Sequence, residues 1–350
     1  MPEIRVAVIG VGNCCSALVQ GIEFYKENRN ESLGLVHWDV GRYLPSDLRI
    51  VVAFDVDGRK VGRDLSEAIF AEPNTVPHLV EVPRLGAPVL RGPTLDGVGE
   101  YAKDLIKLDE GEPVDVSREL RRHGVEAVVN LLPSGADEAS RWYAEQALEA
   151  GCAFVNATPT PIVSDRKFGD LFRTASLPAA GDDLMDQIGA TILHMGLLRF
   201  LNERGVRIDE SYQLDVGGGT ESLSTLERGR DVKRRIKTEA VGSAVPYRFP
   251  LVAGSTDYVD FLDNYRDSLF WIKGRYFCGA PVTIDIRLET MDGPNAGAVL
   301  LDVIRAVKLA MDRGLSGPLI PVSAYAFKRP PKRLSLEEAR RGFEEFIAEG

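Results

Sequence analysis

The chain has 350 residues, 44% of them apolar and 27% charged, and carries a net charge of −10. That length supports one large domain or two interlocked ones around an ample core, and the acidic balance disfavours nucleic acid or an anionic membrane surface as the main partner. No apolar run approaches the roughly 20 residues of a membrane helix, and cysteines 14, 15, 152 and 278 lack metal-ligand spacing and suit a reducing cytoplasm.

In chain order, "IRVAVIGVGNCCSALVQGIEFY" reads as an apolar strand, a glycine turn and an amphipathic helix. The opening "MPEIRVAVIG" enters that strand at once, without the charged-then-apolar layout of a signal peptide. "LRIVVAFDVDGRKVG" is a second strand that ends in acids and leads to a helix start. A Pro/Gly-rich stretch containing "RGPTLDG" follows, irregular as far as Val125. "VEAVVNLLPSG" and "GCAFVNATPT" are two more strands, separated by the helical "DEASRWYAEQALEA". Such alternation predicts a doubly wound parallel sheet.

"GDDLMDQIGAT" (181–191) reads as the start of a helix that runs to about residue 203, with Asp182 and Asp183 available as caps. Beyond it lie "YQLDVGGG", a charged helical run near 221–240, and strand-like "LFWIKGRYF" and "PVTIDIRLETM", which together predict a second, mixed sheet. "AGAVLLDVIRAVKLAMDRG" is a long helix expected to return to the first domain, and an amphipathic helix closes the chain from Leu334. The expected division is 1–190, 191–294 and 295–350, with the middle α+β unit inserted before the C-terminal helices.

Gly10 and Gly12 follow the first strand directly. The first permits a tight turn, and the second allows a pyrophosphate to approach the helix N-terminus, where Asn13 and Cys14 sit. Asp55, at the end of strand two, is placed to hold both ribose hydroxyls and to repel a 2′-phosphate, which favours NAD over NADP in a Rossmann-type unit. It lies 43 residues beyond Gly12 rather than the usual ~20, so an insertion over roughly 27–47 is required. Ligands in such sheets lie beyond the carboxyl ends of the strands, which makes Pro133, Ser134, Asn156 and Thr158 candidate cofactor contacts. Lys233 and Lys237, four apart, share one helical face and could grip a phosphate or stabilise an oxyanion. Asp292, in the turn of "LETMDGPNAG" before a long helix, and Lys328, in "SAYAFKRPP", are further candidates; no metal ligand set is evident.

These stretches together resemble the myo-inositol-1-phosphate synthase family in its shorter form, through "GVGNCCSALVQGIEFY", "VVAFDVDGRKVGRDLSEAIF", "RGPTLDGVG", "GDDLMDQIGATI", "LERGRD", "DGPNAGAVLLDVIRAVKLAMDRGLSGP" and "SAYAFKRPP". The resemblance implies a homotetramer in which NAD⁺ stays bound and oxidises C5 of glucose 6-phosphate. C6 then closes on the C1 aldehyde in an aldol step, and C5 is reduced again. It implies catalytic roles for Lys233, Lys237, Lys328 and Asp292, and places Asp183 beside the nicotinamide. Asp186, Gln187, Asp215, Gly219 and Glu221 fall in its substrate-binding stretches.

Two departures stand out. Where the family has Gly-Asp-Asp-x-Lys-Ser, this chain has Met185 and Asp186, and Gly219 and Glu221 replace an asparagine and an aspartate. A carboxylate about 4 Å from a substrate anion, at an effective dielectric of about 20, repels it by roughly 4 kcal/mol. Asp186 is therefore expected to turn away or lose its charge, or the pocket suits another sugar phosphate, such as fructose 6-phosphate closing to a five-membered cyclitol phosphate. A dehydrogenase that releases NADH and a non-catalytic NAD-binding oligomer are the readings from other classes.

Overall fold

A computed structural model describes residues 2–28 and 32–349, so part of the expected insertion lies outside the described residues. The elements in order are β1 (Ile4–Ile9), α1 (Asn13–Glu27), β2 (Leu48–Asp55), α2 (Leu65–Ala68), β3 (Val89–Arg91), α3 (Val116–Arg122), β4 (Ala127–Asn130), α4 (Asp137–Ala150), β5 (Ala153–Asn156), α5 (Arg166–Thr174), β6 (Pro178–Gly181) and α6 (Ala190–Glu203). There follow β7 (Arg207–Gly217), α7 (Thr220–Ser224), α8 (Arg230–Gly242), β8 (Leu251–Tyr258), β9 (Tyr265–Arg275), β10 (Pro281–Met291), α9 (Asp292–Asp312), β11 (Gly317–Pro318), α10 (Ile320–Ala326) and α11 (Leu336–Ala348). None of the described helices is long and apolar enough to cross a membrane.

The first sheet has the order β11-β6-β5-β4-β1-β2-β3 and is parallel throughout. Its strands are apolar on both faces because both are covered. In β1, Ile4, Val6 and Val8 pack toward α1 and α9, while Ala7 and Ile9 enter the core that holds Leu120 of α3 and Tyr143 of α4. The order reverses between β1 and β4, and a crevice opens there beyond the strand ends. The expected doubly wound sheet is present. The stretch before Val125, read as irregular, contributes β3 and α3 to it.

The second sheet is mixed, in the order β10-β9-β7-β8, with only the β7–β8 pair parallel. It packs on α6 and α8 around Met195, Leu198, Ile208, Val241 and Ile272. The long helix α9 returns to the first sheet as expected, so closely that a Cβ on Gly297 would lie 3.3 Å from the Ala17 backbone of α1. Buried Arg305 of α9 donates to the carbonyls of His37, Trp38 and Tyr43. This holds the described part of the long β2-preceding insertion against the core.

One prediction fails at 181–189. Gly181 ends strand β6, and helix α6 begins only at Ala190. Residues 182–185 instead run against 326–329: Asp182 N–H donates to the Arg329 carbonyl, Lys328 N–H to that of Asp183, and Met185 N–H to that of Ala326. The Asp182 carboxylate caps nothing in α6. It accepts from the N–H groups of Ile162, Val163 and Ser164 and from the Asn156 amide. Adjacent aspartates imitate a helix cap locally, but here these tertiary bonds outcompete the helix.

Candidate active site

A cavity of about 240 Å³ lies at the reversal point of the first sheet and extends to the second. On the first-sheet side it is shaped by backbone. Gly10 adopts φ +88°, and a Cβ there would come 3.0 Å from the Leu131 carbonyl, so only glycine fits. Gly12 precedes α1, and a Cβ on it would meet nothing within 4 Å. The open space therefore lies against a helix N-terminus, the kind of place that binds phosphate.

Asp55 closes this turn from the side. Its Oδ2 accepts from Val11 N–H (2.7 Å), and its Oδ1 accepts from the N–H groups of Val56 (2.7 Å) and Asp57 (2.9 Å). Oδ1 thus spends both of its lone pairs on backbone donors, while Oδ2 keeps one free and can still accept from a ribose hydroxyl. Lys60, unremarked in the sequence reading, supports the turn from below by donating to the Val11 carbonyl (2.8 Å) and Asn74 Oδ1 (2.9 Å). Burial pulls its pKa below the usual lysine range despite nearby Asp55 and Asp57. Asn13 accepts from Thr75 N–H (2.8 Å). Burial, aided by Asp292, Glu221 and Asp186, pushes the Cys14 thiol up to about 12.

The "RGPTLDG" loop also belongs to this end, with Pro93, Thr94 and Gly97 lining the cavity. Asp96 accepts from Glu138 and Ala139 N–H (2.8 Å each) at the start of α4. Glu227, in a π-helical turn before α8, accepts from the N–H groups of Glu100 (2.6 Å) and Tyr101 (3.2 Å). The loop is thus tied to both halves of the molecule.

On the second-sheet side the cavity is lined by charged side chains. Lys233 donates to Asp183 Oδ1 (2.9 Å) and lies 3.5 Å from Glu221. Lys237 donates to Asp215 Oδ2 (2.7 Å). Lys328 donates to the Leu184 carbonyl (2.6 Å) and sits 4.0 Å from Asp183 and 3.8 Å from Asp186. Burial presses on both paired lysines, with different outcomes. Asp183 and Glu221 outweigh it at Lys233, which is raised above its ordinary value, whereas Lys237 stays below its own even with Asp215 beside it. Burial pushes Asp183 up, but Lys233, Lys328 and Lys237 together hold it below the usual carboxylate range. The two lysines are thus shifted in opposite directions, according to the carboxylates that each one meets.

Arg266 is the principal residue that sequence reasoning missed. Its Nε and Nη2 hold both Asp292 oxygens at 2.7–3.1 Å, and Asp292 and Asp215 keep its guanidinium charged against burial. No local motif marks it. It stands in β9, and only the sheet brings it to Asp292 at the start of α9.

The cavity gathers Gly10, Gly12, Asn13, Cys14, Asp55, Pro133, Thr158, Asp183, Asp186, Gly219, Glu221, Lys233, Lys237, Asp292 and Lys328. Four other candidates are placed differently. Ser134 does not line the cavity itself but donates through its hydroxyl and N–H to Glu221, which does. Asn156 is buried and spends its amide on Asp182 and the carbonyls of Thr158 and Thr160. Gln187 donates to the Gly34 carbonyl, and Asp215 reaches the site through Lys237. Met185 turns into the core between α6, α8 and the second sheet, so of the two departures in the 181–191 stretch only Asp186 faces the cavity. Its carboxylate stays close enough to Gly189 that a Cβ there would lie 2.5 Å from Oδ2.

Comparison with known proteins places this arrangement. A model of the family described as myo-inositol-1-phosphate synthase matches residues 189–293, the stretch that carries the lysine pair and most of the second sheet. The inositol-3-phosphate synthase of Mycobacterium tuberculosis (strain CDC 1551 / Oshkosh) is 44% identical over 99% of this chain and 96% of its own length. The crystal structure of Ari2 is 31% identical, with a TM-score of 0.80 over 99% of this chain and 98% of that one. A myo-inositol-1-phosphate synthase-related protein from Thermotoga maritima MSB8, 24% identical, shares the fold with a TM-score of 0.84 over 99% and 98% of the two chains.

Proposed function

The chain belongs to the myo-inositol-1-phosphate synthase family, and on that premise we propose that it is an NAD-dependent isomerase that cyclises D-glucose 6-phosphate to 1D-myo-inositol 3-phosphate. The convergence of Lys233, Lys237, Lys328 and Asp183 in one cavity, directly beyond a glycine turn, carries this reading. The residues present fit a dinucleotide: Gly10 permits the tight turn, Gly12 leaves open space at the N-terminus of α1, and Asp55 Oδ2 retains a lone pair for a ribose. When bound, NAD supplies reversible hydride transfer at a sugar carbon.

The chain's own residues then have separable tasks. Lys237, kept below the usual lysine range by burial, takes the proton from the carbon beside the transient ketone and returns one later. Lys233, raised by Asp183 and Glu221, stays cationic and stabilises the oxyanion. Lys328 places a third cation between Asp183 and Asp186. Arg266 fixes Asp292 in one orientation, so that acid orients substrate hydroxyls from a set position. In the proposed division, 191–294 supplies the lysine pair and second sheet, while 1–190 and 295–350 build the cofactor end.

Incubation with NAD⁺ and glucose 6-phosphate, followed by ³¹P NMR and absorbance, tests the reading. A cyclitol phosphate without net NADH is the expected product, and stoichiometric NADH release overturns it. Asp186 facing the cavity favours a second reading, the same chemistry on fructose 6-phosphate, which a parallel incubation decides.

We also propose a cytoplasmic homotetramer assembled through the second sheet. Tyr212, Leu214 and Leu269 lie exposed on one face of β7 and β9, and the cysteines are unbridged. Sedimentation of the chain as a monomer overturns the assembly.

A further inference from the structure

Three polar atoms on residues lining the cavity have no hydrogen-bond partner among the described residues: Asp183 Oδ2, Thr256 Oγ1 and Asn264 Nδ2. Thr256 and Asn264 are each only 2% exposed, so bulk water does not serve them. Leaving buried polar groups unpaired is costly, and native interiors rarely do so without a ligand or ordered water to complete them.

The orientation of each group follows from its surroundings. Asn264 Oδ1 accepts from Gly293 N–H (3.0 Å), and the Asn264 carbonyl accepts from Asp292 N–H (3.0 Å). A backbone donor on one side of the amide identifies that side as oxygen and leaves the NH₂ on the other. The fit around Gly293 is close, since a Cβ there would lie 2.8 Å from Val76 and 3.2 Å from Asn264 Oδ1. Thr256 stands in register with Asp215 on β7, the residue that holds Lys237. Its hydroxyl is therefore placed by the strand beside the lysine pair and is anchored by no bond of its own.

The three groups require a ligand of definite chemistry. Ionised Asp183 can only accept, the Asn264 NH₂ can only donate, and the Thr256 hydroxyl can do either. A carbon chain with adjacent hydroxyls offers donors and acceptors together and satisfies all three, whereas an apolar or aryl ligand satisfies none. We propose that Thr256 and Asn264 read the hydroxyls of a polyol substrate and set its specificity. This rests on the cyclase reading and adds to it two residues that neither touch the glycine turn nor belong to the lysine pair.

The test uses Thr256→Val and Asn264→Asp. The first removes only the hydroxyl, and the second keeps the acceptor for Gly293 but deletes the donor. Steady-state rates are measured on glucose 6-phosphate and on its 2-, 3- and 4-deoxy analogues. The parent enzyme should lose about tenfold or more in kcat/KM on at least one analogue, since one hydrogen bond in a closed site is of that order. Each variant should lose a similar factor on the full sugar, mainly in KM, yet equal the parent on the analogue lacking the hydroxyl it reads. Equal losses on every sugar would reveal a structural role and overturn the proposal, as would no loss at all. If the parent cyclises neither glucose 6-phosphate nor fructose 6-phosphate, the cyclase reading fails separately. Calorimetric binding of the same series then decides the hydroxyl reading: the same convergence in Kd supports it, and absence of binding or of any preference for the hydroxylated sugar overturns it.

Discussion

At the first-sheet end of the cavity, charge is managed by main chain: Asp55 is held by three backbone N–H groups, and Lys60 donates to a backbone carbonyl and an amide. At the second-sheet end, side chains hold one another, with Lys233 on Asp183, Lys237 on Asp215 and Arg266 on Asp292. A backbone-built site is stiff and suited to a ligand that does not change. A side-chain network can shift protons, because each partner sets the pKa of the next. The division matches the tasks proposed for the two ends, and perturbations should fall on one end or the other.

The largest separation is expected for Lys237→Ala. Turnover should fall by about 10³-fold, within the range for losing a general acid–base group, while the Kd for NAD changes by less than about threefold. Titration calorimetry and product formation measure the two. A comparable loss in NAD affinity would break the distinction between the ends. In the parent enzyme, the limb of the rate profile assigned to Lys237 should fall below the ordinary lysine value of 10.5, since burial lowers it.

His194, on α6 beneath the second sheet, contacts Ser211 (2.8 Å) and Gln213 (3.3 Å), and burial depresses it from 6.5 to about 4. The unfolded chain binds the proton first as pH falls. The stability due to neutral His194 is therefore complete above pH 6.5 and is lost as pH drops toward 4. Over that window the loss is about 3 kcal/mol. Denaturant midpoints at pH 7 and pH 4.5 measure it, and His194→Gln should flatten the difference. An unchanged slope in that variant assigns the acid sensitivity elsewhere.

Gly10→Ala probes the other end. Its left-handed backbone and the Leu131 carbonyl oppose a Cβ, so a loss of about 1–2 kcal/mol in stability is expected, together with about tenfold weaker NAD binding. Normal NAD affinity in this variant would show that the turn does not form the cofactor site. The smallest effect is predicted for Asp186→Ser, which removes a carboxylate facing the cavity. Because Lys328, 3.8 Å away, already offsets that charge, the KM for sugar phosphate should fall only about three- to tenfold, with NAD affinity unchanged.

Legibility in the sequence differs along the same line. Helix α4 and strand β10 occupy the very residues that periodicity marks, and β1, α1 and β2 follow closely, since period and punctuation are local properties. The short strands β3, β6 and β11 carry too few residues to show a pattern. The lysine pair was visible through its four-residue spacing. Arg266 and Thr256 were not, because a strand residue facing a cavity looks like any polar residue on a sheet, and Asn264 was not, because it stands in the turn before β9 with no motif around it.

The stretch 181–191 shows where the boundary lies. Alone, "GDDLMDQIGAT" has the composition of a capped helix start. In the folded protein Asp182 ties down the loop after β5, Asp183 holds Lys233, Met185 fills the second core, and Asp186 faces Lys328. The sequence by itself determined the glycine turn, the strand–helix alternation and the acid that ends β2, because these depend on backbone freedom and hydrophobic period within a few residues. Tertiary structure alone decided which of four neighbouring residues face the cavity, because side-chain direction there is set by the backbone bonds to 326–329 and by packing against α8.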